Sequence, residues 1–446
     1  MNMPVLNAAS TDESRYGSVP DLSQSVCSLD PLAVGIFKRK LIRSKKIRRF
    51  LGLFSKRWSL LALSYFVRLE KLVPYVIIEN QPIEGRNLMF VGSGVDVDMP
   101  DEPEYFPPVV GIRMVSALVT GGSGLMGLNG DKLVHHDLFV PQQHAMMEEG
   151  DCRLLVQPGE LVASWVAMDS APAHLHSAAV FTDAVSVNYA HWLTEVLPRI
   201  TVFAHCDDFD DVPLLLDAGL HANMYRSLAM SIPGVRPLYL LPKDRQVKID
   251  DAYFVSPAGY IPFGHKGAKQ PGHSHGIFSS AAIKLMVDTI NNRLPVVHEE
   301  KRGRLIYVRR NSSVRVLRNA NEIETILIKA GFDVIEPERM SFDEQVGIFR
   351  SADVIVGATG AGMANLLFAN EGCDIYILIA EHSDMPYYYW QRMADCVDLQ
   401  ISYLLGVQVD NLNRGVHADF EVPIERVHLM LDEMGLSASK PNETKV

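Results

Sequence analysis

Between residues 304 and 380 short β-rich runs alternate with helical stretches, at a spacing that leaves few folds open. RLIYVRR (304–310) is predicted as a buried strand ending in two arginines. FDVI (332–335), DVIVG (353–357) and DIYILI (374–379) follow as further strands. Asn319-Ala-Asn-Glu322 has the form of a capping box and opens a helix through Ala330, stopped by Gly331. Ser341-Phe-Asp-Glu344 is a second such box, opening a helix to about Arg350, and MANLLFA (363–369) is a short third helix. The alternation predicts an α/β fold with a parallel, doubly wound sheet. Ligands bind such sheets at the carboxyl ends of the strands, where Arg309, Arg310 and the loop 357–362 fall.

At 446 residues the chain exceeds one ordinary core and suits two medium domains, and 48% hydrophobic residues with 21% charged is a globular composition. Residues 1–35 are polar and are expected to form a disordered tail, followed by a basic amphipathic segment over 36–80. Apolar runs broken by Gly, Pro and Asp over 85–185 predict strands in meanders or hairpins. Strand–helix alternation begins near 188, so 85–298 is expected as a β-rich and then Rossmann-like domain, and 299–446 as a second Rossmann-like domain.

The net charge of −11 argues against a whole-molecule attraction to nucleic acid. Residues 38–57, KRKLIRSKKIRRFLGLFSKR, hold ten Lys or Arg and no acid. Apolar residues interleave with them from Ile36 to Phe54. Over 37–69 the pattern fits an interfacial helix on anionic lipid, or a solvated basic helix packed on the acidic body. WSLLALSYFV (58–67) is about half the ~20 residues that span a bilayer. The five cysteines have no close pair, and the polar N-terminus lacks a signal-peptide apolar run; a reducing, cytoplasmic setting is expected.

Several motifs suit chemistry. GATGAG (357–362) follows a strand and precedes a helix, where small residues and free N–H groups accommodate phosphate. Arginines 309 and 310 offer bidentate donors to phosphate oxygens, or else pair with acids at the surface. Asp96-Val-Asp98 has a cation-binding look but sits in a loop with further acids, which suits a solvated acidic loop better. His265, His273 and His275 lie in a Gly- and Pro-rich loop without a metal-ligand scaffold. In NYAHWLTEVLPRI (188–200), His191 and Glu195 share one helix face, and Pro198 marks an end or kink. A carboxylate four residues from an imidazole raises its basicity, as a general base requires; the same spacing also fits a buried structural pair.

Taken together, NYAHWLTEVLPRI, YVRRNSSVRVLRNANEIE and SFDEQVGIFRSADVIVGATGAGMANLLFA resemble glycosyltransferase family 61, including its capsular-polysaccharide members. The matching positions are Asn188, Tyr189, His191, Trp192, Pro198, Arg199, Arg309, Arg310, Asn321, Glu322, Gln345, Gly357, Gly360, Ala361, Gly362 and Asn365. The family's loop histidine is Thr359 here, and the glutamate it places after the next strand has Glu381 as its nearest stand-in. The resemblance implies a GT-B-like architecture, two Rossmann-like domains facing across a cleft, here with an extra β-rich N-terminal region. It implies inverting transfer from a nucleotide-sugar, of the UDP-sugar kind, with no metal or other cofactor. The acceptor would be a glycan or lipid-linked saccharide hydroxyl in bacterial surface polysaccharide synthesis, at the inner membrane. Donor-binding residues are then Arg309, Arg310, Thr359, Gly360, Ala361, Gly362, Asn365 and Glu381, and a base from the N-terminal domain, His191 first and Glu195 second, would deprotonate the acceptor hydroxyl. A non-catalytic sugar-nucleotide or glycan-binding partner of an assembly complex is the alternative.

Overall fold

The computed structural model describes residues 26–28, 57–83, 85–97, 105–150, 154–156, 161–165, 172–262, 264–265, 275–294, 304–383, 385–409 and 415–436. The chain divides into two compact units. The first holds residues 1–83 and 103–293; the second holds 84–102 and 294–446. The second unit therefore takes a stretch, 84–102, that the sequence places with the first.

The first unit is built on a 12-stranded sheet. Four of its strands, Ala173–Val180, Leu214–Asp217, Leu238–Leu241 and Gln246–Val255, run parallel. Antiparallel Val109–Thr120 joins Gln246–Val255 and leads into the hairpins Met126–Leu128 and Lys132–His135. The meander expected before residue 185 is thus continuous with the Rossmann-like half. Helices Leu197–Ala204, Ala222–Ser231 and Ser280–Arg293 pack on one another beside the sheet.

Two expectations for the N-terminal region change. Val26–Ser28, within the predicted tail, pairs in parallel with Leu238–Leu240. The predicted helix over 37–69 is interrupted: Arg57–Ala62 is a strand of the sheet, and among the described residues of that stretch Leu63–Glu70 is helical. The reason lies in the alternation of Trp58 and Leu60, both buried, with outward Arg57 and Ser59, a period of two rather than 3.6. The basic residues 38–56 lie outside the described residues. Among the described residues no helix is long and apolar enough to cross a membrane.

The second unit matches the predicted alternation closely. Strands Arg304–Val308, Asp333–Ile335, Ala352–Ala358, Asp374–Ala380 and Ile401–Gln408 form one parallel sheet. Met89–Phe90 adds itself beside Ile401–Gln408, which is how residues 84–102 come to belong here. Ser341 and Glu344 form the expected capping box. Asn319 does not: its side chain instead bonds both backbone groups of Val422. The stretch Ala361–Phe368 winds as a 3₁₀ helix.

Candidate functional site

The loop after Ala173–Val180 carries Asp183, Ser186 and Asn188, and then the helix begins. Asn188 caps it, its side-chain oxygen accepting from Ala190 N–H at 3.0 Å. Tyr189–His191 is α-helical, Trp192–Val196 is a π-helical turn, and Leu197–Ala204 is α-helical again. Of the end or kink that the sequence allowed at Pro198, the end does not occur: the helix continues through it. The proline lacks the N–H that Thr194 C=O would meet four residues on, and the chain widens by one residue at that place. Gly259 packs over the same carbonyl: a Cβ there would lie 2.2 Å from Thr194 O. Trp192 anchors the turn, fully buried, with its indole N–H donating to Ser227 Oγ at 2.9 Å.

On this turn His191 Nδ1 is hydrogen-bonded to Glu195 Oε1. The second carboxylate oxygen accepts from Ile261 N–H at 3.3 Å. The His191 side chain keeps 20% of its surface exposed and Glu195 only 7%. Burial pushes the imidazole down, but the Glu195 charge and hydrogen bond outweigh it and hold His191 above its ordinary value. Burial likewise raises Glu195, against the pull of His191.

Glu195 and Arg199 line a cavity of about 80 Å³ whose wall also carries Glu148, Asp183, His136 and Tyr260. Arg199 is buried, with Asp183 Oδ2 4.0 Å from its Nη1 and no partner for its Nε among the described residues. His136 Nδ1 is likewise without a partner, and burial followed by the charges of His135 and Arg199 pushes this histidine down to about 3. It stays neutral, against the ring of Tyr260. Asp217, at the end of Leu214–Asp217, fastens the loop by accepting from Asp183 N–H, Ser186 O–H and Gly122 N–H. Burial still lifts its carboxyl to about 6. Sequence reading missed Asp183, Asp217 and His136. The first two were findable, since both follow carboxyl ends of parallel strands.

In the second unit Arg309 and Arg310 separate in role. Arg309 is clamped by Glu324 through Nε, at 2.7 Å, and Nη2, and by Glu336 through Nη1 at 2.8 Å. Arg310 points the other way, donating to Thr359 C=O from Nη1 and to Val314 C=O at 2.8 Å from Nη2. Gly360 is small because Arg310 lies on it: a Cβ would be 2.2 Å from Nη1. Thr359 is buried, its hydroxyl accepting from Trp390 Nε1 at 3.1 Å. Burial, then the nearby Arg315, lowers Arg310 to about 10.

The remaining predicted residues divide between brace and surface. Asn365 is fully buried and donates to Gln345 Oε1 at 2.7 Å and to Gly362 C=O at 3.2 Å. Gln345 in turn donates to Pro337 C=O and Met340 C=O, so the two amides tie the loop to its neighbouring turn. Ala361 is exposed and Gly362 half-buried at the start of the 3₁₀ helix. Asn321 and Glu322 are exposed on the helix Ala320–Lys329, while Glu324, one turn along, is the residue that meets Arg309. Glu381 is exposed with Arg426 at 3.6 Å. Asp96 is exposed, and Asp98 and His273 lie outside the described residues. Among the described residues no group of three or more His, Cys, Asp or Glu is placed to hold a metal ion.

No curated protein matches the chain. A family description, Glycosyltransferase 61, matches residues 189–376, less than half of the chain. That span begins at Tyr189 of the His191–Glu195 helix and ends in the strand Asp374–Ala380, and over it the chain is similar to the glycosyltransferases of family 61.

Proposed function

We propose that the protein transfers a sugar from a nucleotide-sugar to an acceptor hydroxyl, with inversion at the anomeric carbon. The observation that carries this reading is the His191–Glu195 pair on a π-helical turn, within the span similar to family 61. With Nδ1–H held by the carboxylate, Nε2 is the nitrogen left to accept a proton. In the reaction the acceptor oxygen forms a bond to the anomeric carbon as the bond to the donor diphosphate breaks. His191 takes the acceptor proton, and Glu195 stabilises the imidazolium. On the second unit Arg310 and the 357–362 loop offset the charge left on the diphosphate. Among donors, UDP-sugars are the first to test. A glycan or lipid-linked saccharide of a bacterial surface polysaccharide is the acceptor class, and the basic stretch 38–57 would bring the chain to an anionic cytoplasmic membrane face.

The test is His191→Ala assayed with a panel of UDP-, GDP- and CMP-sugars and cell-extract glycolipids. Turnover should fall by about 10²–10⁴-fold, the usual worth of a positioned base, with donor affinity kept. Undiminished turnover in this variant would refute the role. Donor binding with neither transfer nor hydrolysis in the wild type would favour the non-catalytic binding protein instead.

A further inference from the structure

The two arginines that adjoin in sequence differ in what holds them. Arg309 is saturated by two carboxylates, so a phosphate would have to displace Glu324 or Glu336 to reach it. Arg310 has no acid partner among the described residues; its contacts are the carbonyls of Thr359 and Val314 and the hydroxyl of Ser312, and its Nε is unpartnered. The Val314 contact fixes the turn that ends on Arg315. That residue stands at φ 55°, a left-handed backbone that arginine rarely adopts. Its Nε is also buried without a partner. Among the described residues, the charges coupled to Arg315 are those of Arg310, Tyr389 and His417, none of them a carboxylate. Arg310 lies on Gly360, and Arg315, on a strained turn, is close enough to depress its pKa; two guanidiniums held together in this way make no sense as packing alone, because each would be better solvated apart.

We infer that Arg315 and Arg310 together form the diphosphate clamp of this chain, with Arg309 serving as the brace that orients the strand end. The ligand class is a nucleoside diphosphate, its two phosphates taking the place of the missing counter-charge. This rests on the donor reading above but departs from it in the residue pair. Arg315 also supplies, from another loop, the positive charge that Thr359 cannot.

The test measures UDP and inorganic pyrophosphate binding to the full-length protein by titration calorimetry, with thermal unfolding alongside. Arg315→Ala should raise the UDP dissociation constant by about 10- to 100-fold, the loss expected for a charge-assisted contact, and Arg315→Lys should recover part of it. Arg315→Gly discriminates further. Glycine tolerates the left-handed backbone, so the melting temperature should hold or rise while UDP affinity falls. Arg318→Ala, whose guanidinium is paired with Asp419 at 2.6 Å, should leave UDP affinity unchanged. Wild-type-like UDP affinity in both Arg315→Ala and Arg315→Gly would overturn the clamp and leave the donor reading standing. Wild-type protein that binds pyrophosphate but no nucleoside diphosphate would overturn the ligand class inferred here and the donor reading with it. Wild-type protein that binds neither would overturn both.

Discussion

At His191 the proposed role as base turns on where its proton leaves. The Glu195 contact holds the imidazole above its ordinary 6.5, so the neutral base is present only above that raised value. Transfer should therefore be lost as pH falls through it. Glu195→Gln removes the charge but leaves the burial, which by itself pushes the histidine down. The acid limb of kcat/KM should then move to lower pH, with a lower plateau because the base is weaker. An acid limb that stays in place in Glu195→Gln would show that another group sets it. The spacing of this pair was legible in the sequence, because i and i+4 side chains meet on any helix. Which acids would hold Arg309 was not. One of its two carboxylates, Glu336, lies 27 residues away and on a different element, and local spacing carries no trace of that.

The π-helical turn adjoins His191 and carries Glu195, the pair proposed above as the base of the reaction. It exists because Pro198 interrupts the amide ladder and because Gly259 lets a second backbone approach the carbonyl of Thr194. Gly259→Ala places a methyl where backbone cannot yield. It should destabilise the fold by about 1–3 kcal/mol, the range for overpacking, and reduce transfer as the His191–Glu195 turn shifts. Thermal unfolding and a rate assay on the same preparation check this; full stability with full activity would mean the two segments can part without consequence. The sequence placed an irregularity at Pro198 but left open whether the helix ends there or bends and goes on. A missing N–H is local information, whereas continuation of the helix depends on what buries Ile200, Val202 and Phe203 beyond it. The failed capping box at Asn319 has the same origin: Val422, from far along the chain, competes for the amide. The box at Ser341 formed because its partner, Glu344, is three residues away.

Across the whole molecule, the contrast is between a net charge of −11 and the ten cations of 38–57. Vesicles containing phosphatidylglycerol should co-sediment the protein at low salt and release it as salt rises through the physiological range, as screening shortens. Replacing the Lys and Arg residues of 38–56 by Gln, and keeping Arg57 of the strand, should abolish co-sedimentation; retention by that variant would locate the membrane contact elsewhere or remove it. At this scale the parallel sheet of the second unit and the presence of two units were readable, since both follow from period, length and punctuation. What the sequence by itself determined was whatever neighbours in the chain can settle: strand and helix periods, the Ser341 cap, the His191–Glu195 face and the glycine loop. What only the tertiary structure decided was the pairing of charges and the handing of 84–102 to the second unit. The physical reason is shared. A buried guanidinium or an unpaired strand edge takes whichever partner lies near in space, and that partner is chosen by the packing of the whole unit.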